Sequence, residues 1–335
     1  MIGSTAPNIP ARNIRVYLPR GYLQNTTKRY PVLYLQDGQI VFDPGGPFGS
    51  WSADATATRE IGQGRMREAI LVAVNHGEGN RIPEYQPPTD FYPRTPPNTQ
   101  GRADAYASFL INNVRPYVDT NFRTLNDPAN TLTLGSSMGG LVSLYLGREF
   151  SVFGKIGIFS PAFWISPNYI AQVTAGTKKP LRVYLDMGTG EPEDNWEDAV
   201  QMYDVHLSQA YAANGEVTFV AGCGEGHNEA AWKARLPGAL RFLLPVREEP
   251  ALLALRDFPP KFSVIAVDLP GGQVTINYTS AFGFKYELAR SPDMTDWAPV
   301  STTSPESLPW SNRQITDTFE AATELFWQMT AIASP

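Results

Sequence analysis

The chain has 335 residues, 42% of them hydrophobic and 18% charged, with 33 acidic against 27 basic side chains and a formal net charge of −6. That length suits two domains better than one, the apolar share can fill a sizeable core, and the acidic balance excludes nucleic acid and anionic membrane surfaces as partners, because both call for basic surface. No apolar run is long enough to span a bilayer, and the single cysteine, Cys223, excludes an intrachain disulfide.

In chain order, strand-like runs fall at residues 13–18, 30–36, 69–74, 131–134, 181–188 and 217–220, with helix-like runs at 141–146 and 196–213. Strands alternating with helices predict an α/β domain over residues 1–248, a mostly parallel sheet with helices on both faces and the first run as a hairpin-like strand ahead of it. The Pro-rich, charged stretch 249–260 reads as a linker. Past it, 262–267, 273–278, 284–289 and 324–329 read as short strands between Pro, Gly, Ser and Asp turns, which predicts a small all-β sandwich over 261–335.

The segment Leu134-Gly135-Ser136-Ser137-Met138-Gly139-Gly140 lies between a strand-like and a helix-like run. Gly-x-Ser-x-Gly in that setting is what a nucleophile elbow requires: a sharp turn exposing the hydroxyl of Ser137, with small residues letting strand and helix approach. An ordinary Gly-rich turn has the same pattern, so partners decide. Of the three histidines, His206 lies in a helical run and His76 precedes Ser137, whereas His227 follows a late strand on the loop Gly222-Cys223-Gly224-Glu225-Gly226-His227-Asn228. In the order nucleophile, acid, histidine, His227 is the candidate base. The acid should stand on the loop after the 181–188 strand. Glu191 is the first choice, Asp194 the second because it also reads as a helix N-cap, and Asp186 the third because it is still within the strand. An oxyanion hole would use the backbone N–H of Met138 and, from Asp37-Gly38-Gln39 after the 30–36 strand, that of Gln39. Cys223 reads as a small packing residue rather than a second nucleophile.

Five blocks in order carry a resemblance: Tyr30-Pro31-Val32-Leu33-Tyr34-Leu35-Gln36-Asp37-Gly38-Gln39, Gly135-Ser136-Ser137-Met138-Gly139-Gly140, Phe159-Ser160-Pro161-Ala162-Phe163-Trp164, Leu185-Asp186-Met187-Gly188-Thr189-Gly190-Glu191 and Gly226-His227-Asn228-Glu229. Over about residues 11–245 the chain resembles the esterase family of α/β-hydrolases that includes esterase D, feruloyl, acetyl xylan and enterochelin esterases. The resemblance implies an α/β-hydrolase fold and carries the family's serine, acid and histidine onto Ser137, Glu191 and His227. Relatives often have Asp where this chain has Glu191, and Asp37 stands where many have histidine. The implied mechanism is two-step acyl transfer on a small-molecule or polysaccharide ester. No metal or organic cofactor is expected, since the sequence has no His/Cys/Asp cluster at metal spacing and no Gly-rich phosphate loop.

Residues 286–297 resemble fibronectin- or immunoglobulin-like modules appended to secreted bacterial enzymes, for which a spacer or packing role is favoured over polysaccharide binding. The first residues, Met1-Ile2-Gly3-Ser4-Thr5-Ala6, show no basic-then-apolar leader; the expectation is a secreted or periplasmic protein with its leader outside this sequence. Aromatic faces suit sugar rings or a phenolic acyl group, so Trp51, Phe163 and Trp164 are candidate substrate contacts, beside Trp196 and Trp232 near the expected cleft. Arg81 joins them on a polar loop, where with Glu84 it could equally brace the loop. The expected activity is serine carboxylesterase action on acylated carbohydrate, acetyl or feruloyl. Hydrolysis of a siderophore or small lactone is the alternative enzyme, and a catalytically silent module with a binding appendage the non-enzyme alternative.

Overall fold

Runs of consecutive buried apolar residues make the strands of the first unit, as parallel strands covered on both faces require. The computed structural model describes residues 1–92, 99–190, 196–246, 262–268, 273–281, 284–291, 298–302, 310–318 and 326–333. They fall into two compact units, Met1–Ala254 and Leu255–Pro335. The linker expected over 249–260 lies outside the described residues.

In the first unit the strands are β1 (Ile14–Tyr17), β2 (Val32–Leu35), β3 (Ile70–Val74), β4 (Phe91–Tyr92), β5 (Thr99–Gln100), β6 (Thr131–Ser136), β7 (Lys155–Phe159), β8 (Arg182–Gly188) and β9 (Val217–Gly222). The helices are α1 (Gly38–Val41), α2 (Ala53–Gly62), α3 (Arg81–Tyr85), α4 (Ala103–Phe109), α5 (Arg115–Asn121), α6 (Met138–Glu149), α7 (Pro167–Ala175), α8 (Trp196–Ser208) and α9 (Glu229–Leu243). Seven strands form one sheet in the order β1-β3-β2-β6-β7-β8-β9, while β4 and β5 make a separate two-stranded ribbon. Every pairing in the large sheet is parallel except β1 with β3. This is the α/β-hydrolase architecture. The first strand is not a hairpin partner of its successor: β1 skips β2 and lies on β3, Ile14 opposite Val74, as a half-buried edge.

Burial explains the centre. β2, β3, β6 and β7 are buried at every position, and α6 is buried from Met138 to Arg148. Along α6 and α9 the apolar faces cover the middle of the sheet, α6 on β6 and β7, α9 on β7 and β8. Register then sets the position of the site. Leu35 pairs with Leu134, Ser136 with Phe159, Phe159 with Asp186, and Gly188 with Gly222. The carboxyl ends of five parallel strands therefore line one edge, which is where ligands bind in open α/β sheets.

The second unit holds two three-stranded antiparallel sheets. One is β10 (Phe262–Asp268), β11 (Gln273–Ala281) and β14 (Trp310–Thr318), with β11 in the middle; the other is β13 (Ala298–Thr302), β12 (Phe284–Ser291) and β15 (Phe326–Ala333), with β12 in the middle. Arg290 of β12 donates to the buried Asp317 of β14 at 3.0 Å, an ion pair between the two sheets.

Candidate active site

The elbow is built from sterics. β6 ends at Ser136, α6 starts at Met138, and Ser137 between them takes φ 56° and ψ −123°. A non-glycine residue held there stores roughly 1–3 kcal/mol of backbone strain. Its surroundings hold it: the Ser137 N–H donates to the Phe159 carbonyl at 2.9 Å, and its own carbonyl accepts from Gly140, Leu141 and Ala162, each at 3.1 Å. The flanking glycines have physical reasons. A Cβ on Gly135 would stand 2.6 Å from the Gly139 carbonyl oxygen, and one on Gly139 would stand 2.9 Å from Asp37 Oδ2. Strand, helix and the β2–α1 loop thus meet at distances only hydrogen allows.

That loop carries Asp37, Gly38 and Gln39. Asp37 adopts the left-handed conformation, φ 56°. Its N–H donates to the Tyr85 hydroxyl at 3.2 Å, and its carboxylate takes a bidentate pair from Arg81, Nε at 2.7 Å and an Nη at 2.9 Å. Tyr85 is fully buried, and burial first, then the nearby Asp37 charge, push its phenol well above the ordinary range, so it stays protonated. The Gln39 side chain is spent on its neighbour: Oε1 accepts from the His76 N–H at 3.1 Å and Nε2 donates to the His76 carbonyl at 3.3 Å. His76 Nδ1 accepts from the Glu78 N–H at 3.0 Å, which makes this histidine a brace of the loop. Burial lowers its pKa. Met138 opens α6 and Gln39 is second in α1, so both amides sit in first helical turns, where N–H groups have no intrahelical acceptor.

His227 stands on the exposed β9–α9 loop, two residues before α9 and next to its N-cap Asn228, whose Oδ1 accepts from Ala231 N–H at 3.0 Å. A chain of rings links it to the elbow. The His227 ring meets Trp232 edge-on at 5.1 Å, Trp232 packs on Trp51 at 5.7 Å, and Trp51 packs on Phe159 at 5.1 Å. Phe159 is the residue whose carbonyl holds the Ser137 N–H. The loop after β8 is tied to the histidine loop through Thr189 N–H to Gly222 O, Gly190 N–H to Glu225 O and Gly224 N–H to Thr189 Oγ1, all at 3.0 Å. A Cβ on Gly190 would stand 2.8 Å from the Gly224 backbone. Glu191 and Asp194 lie outside the described residues.

Asp186 has a different partner. It is fully buried, with the Arg235 guanidinium 3.1 Å away and the Ser160 N–H donating to it at 3.1 Å. Burial pushes its carboxyl up to about 6, against the pull of Arg235. Arg235 of α9 also donates to Glu225 on the histidine loop and to Ser160 Oγ. One buried cation therefore ties the ends of β7 and β8 to the loop that carries His227. Sequence reading missed Arg235 because a charge in a helical run reads as a solvated face.

The four candidate substrate contacts separate by burial. Trp164 is 56% exposed. Phe163, at 2%, forms part of a groove of about 490 Å³ that also involves Trp164, α7 and α8. Trp51 is 1% exposed, wedged between Phe159 and Trp232, which corrects the expectation that it faces substrate: its ring is core. Arg81 turns inward onto Asp37, and Glu84 is paired with Arg12 at 2.8 Å rather than with Arg81. Among the described residues no group of three or more His, Cys, Asp or Glu could hold a metal ion, and no helix is long and apolar enough to cross a membrane.

Comparison with known proteins agrees with this architecture. The uncharacterized protein YbbA of Bacillus subtilis is 25% identical over 194 residues, 57% of this chain and 73% of that protein. An endo-1,4-beta-xylanase/feruloyl esterase of Xylanibacter ruminicola is 28% identical over 223 residues, 65% of this chain but only 27% of the relative's length. Among solved structures, the enterobactin esterase FES of Shigella flexneri, determined in the presence of enterobactin, matches with a TM-score of 0.57 at 17% identity, over 72% of this chain and 57% of that one, a likeness of fold. The family model described as "Putative esterase" matches residues 9–243. With that match spanning the sheet, the elbow and the histidine loop, the chain belongs to the esterase family of α/β-hydrolases and is an ester hydrolase.

Proposed function

We propose that the chain is a serine carboxylesterase acting through an acyl-enzyme, with Ser137 as nucleophile, His227 as base and Glu191 as the acid that orients the imidazole. His227 takes the Ser137 proton as Oγ adds to the ester carbonyl. The amides of Met138 and Gln39 receive the developing oxyanion. His227 returns the proton to the leaving alcohol, then activates the water that releases the acid. The observation that carries this reading is the Ser137 backbone, held at φ 56° between a buried strand and a buried helix. Strain of that kind persists where the surroundings over-determine it, and it clusters at reacting side chains.

For substrate the favoured class is acylated carbohydrate, with an acetyl or feruloyl group. The relative named for xylanase and feruloyl esterase activities supports this class, and so does the exposed Trp164 ring, which offers a flat face to a sugar or phenolic ring. A siderophore ester is disfavoured. A ferric catecholate complex is anionic and wants cationic surface, whereas this chain carries a net charge of −6.

Hydrolysis of p-nitrophenyl acetate by the wild type and by Ser137→Ala, with methyl ferulate and acetylated xylan alongside, tests the reading. A loss of more than about a thousandfold in the variant is expected, since removing one triad member removes most of the catalysis. A wild type inert on every ester would instead favour the silent module.

A further inference from the structure

Arg15 lies on the edge strand β1, opposite Ala73 of β3. Its side chain reaches past β3 to the β2–α1 loop, where one Nη donates to the Gly38 carbonyl at 2.7 Å. The same nitrogen lies 3.5 Å from the Gln39 carbonyl and 3.4 Å from that of Phe42, and the other Nη lies 3.4 Å from the Asp43 carbonyl. The guanidinium also stacks over the Phe42 ring at 5.5 Å. It contacts a line of carbonyls along and just past the single turn of α1, groups with no intrahelical donor.

Peptide geometry gives the short bond its consequence. The Gly38 carbonyl and the Gln39 N–H belong to one planar trans unit and point in opposite directions. A charge-assisted bond that holds the carbonyl toward β1 therefore aims the Gln39 N–H away from β1. Such a bond is about twice as strong as a neutral one, and by polarising the peptide it makes that N–H a better donor. The lock is needed because the residue before this plane is glycine, which sets no Cβ barrier to a peptide flip. Gly38 itself cannot acquire one, since a Cβ would stand 2.7 Å from the carbonyl carbon of Val74. A flipped plane would put a carbonyl oxygen where the proposed oxyanion forms, turning an attraction into a repulsion.

We propose that Arg15 is a positioning residue for the oxyanion hole, fixing the Gly38–Gln39 peptide with its N–H toward the ester oxygen; this rests on the oxyanion role proposed above for Gln39. Arg15 itself touches no substrate. Its removal should lower kcat and leave KM in place.

The test uses the full chain as wild type, Arg15→Met, Arg15→Lys and Ser137→Ala. The readouts are kcat and KM on p-nitrophenyl acetate, the inhibition constant of phenylboronic acid, and the thermal midpoint. Phenylboronic acid forms a tetrahedral adduct on a serine oxygen and so reports the hole directly. For Arg15→Met the expected result is a fall in kcat of about 10- to 100-fold, short of the full loss of an oxyanion donor. KM should stay within about twofold, and boronate affinity should weaken in step with kcat. Arg15→Lys, which keeps one charged donor, should recover part of both. If Arg15→Met fails to fold, Arg15→Lys alone decides, with a smaller drop in the same two quantities. Unchanged kcat and boronate affinity in folded variants, even with a lower thermal midpoint, would overturn the proposal and leave Arg15 a structural cap. In that case Ser137→Ala still abolishes hydrolysis and boronate binding, so the triad stands. If Ser137→Ala hydrolyses ester like the wild type, the underlying reading falls and takes this proposal with it.

Discussion

At the scale of single residues, Arg81 separates two roles that one charge can play. If it held substrate, removing it would raise KM. The structure gives it another task, a bidentate pair with Asp37, whose side chain is 4% exposed. Breaking a buried pair by removing one partner typically costs 3–5 kcal/mol, because a charge is left without compensation. Here that charge would be a carboxylate beside Gly139 at the start of α6. Arg81→Met should therefore lose roughly 3 kcal/mol in denaturant unfolding and lower kcat with little change in KM. A raised KM with stability intact would return Arg81 to the substrate. Gly38→Ala makes a second residue-scale case. Its new Cβ would meet the backbone of Val74, Ala73 and Asn75 at 2.7 to 2.8 Å, and backbone cannot swing aside. A cost of about 1–3 kcal/mol is expected from such overpacking, along with lower ester turnover because the displaced loop carries Gln39. Chemical denaturation beside a kinetic assay checks both.

Elements are held to each other by fewer, larger interactions, and the α2–α9 contact shows one. Glu60 of α2 is fully buried and accepts from Arg241 of α9 at 2.7 Å and from Arg65 at 2.7 and 2.8 Å. Burial works to raise its carboxyl, and the hydrogen bonds from Arg241 and Arg65 outweigh it, so its pKa is lowered from 4.5. A carboxylate held below its unfolded value contributes stability that is present above that value and lost as the pH falls through the folded one. Glu60→Gln should thus melt well below the wild type at pH 7, and the two melting points should converge below about pH 4. A gap that stays constant with pH would mean the clamp acts through packing alone. At this scale the sequence was most legible where one pattern had one physical solution. Buried β-rich runs became β2, β3 and β6, and Gly-x-Ser-x-Gly became the turn into α6. Legibility failed where identity and environment part. The polar run Ser311-Asn312-Arg313-Gln314-Ile315-Thr316-Asp317-Thr318 lacks apolar alternation, yet it pairs along the whole of β11. Trp51 reads as a cleft aromatic and is core. Arg15 and Arg235 gave no signal at all, because their effects depend on carbonyls and carboxylates brought to them by other strands.

Over the whole molecule, the question is what the second unit contributes to ester hydrolysis. Every described residue assigned to the site lies in the first unit, from Gln39 to His227, and that unit has its own sheet and its own buried core. The family match ends at residue 243, the last residue of α9. α9 cannot be shortened without loss, because Arg235, Trp232 and Arg241 all reach from it to the site or to α2. A chain ending at residue 248 keeps α9 whole and removes only the β strands that follow. It should fold with a cooperative melt and keep kcat/KM on p-nitrophenyl acetate within about threefold of the full chain, since a compact domain with its own core can fold alone. The informative comparison is then acetylated xylan against the small ester. Loss on the polymer only would assign the β unit to polysaccharide contact, and equal retention on both would make it a spacer. Loss on both with an intact melt would mean that the β strands complete the catalytic cleft, and the site described here would need a wall from the second unit.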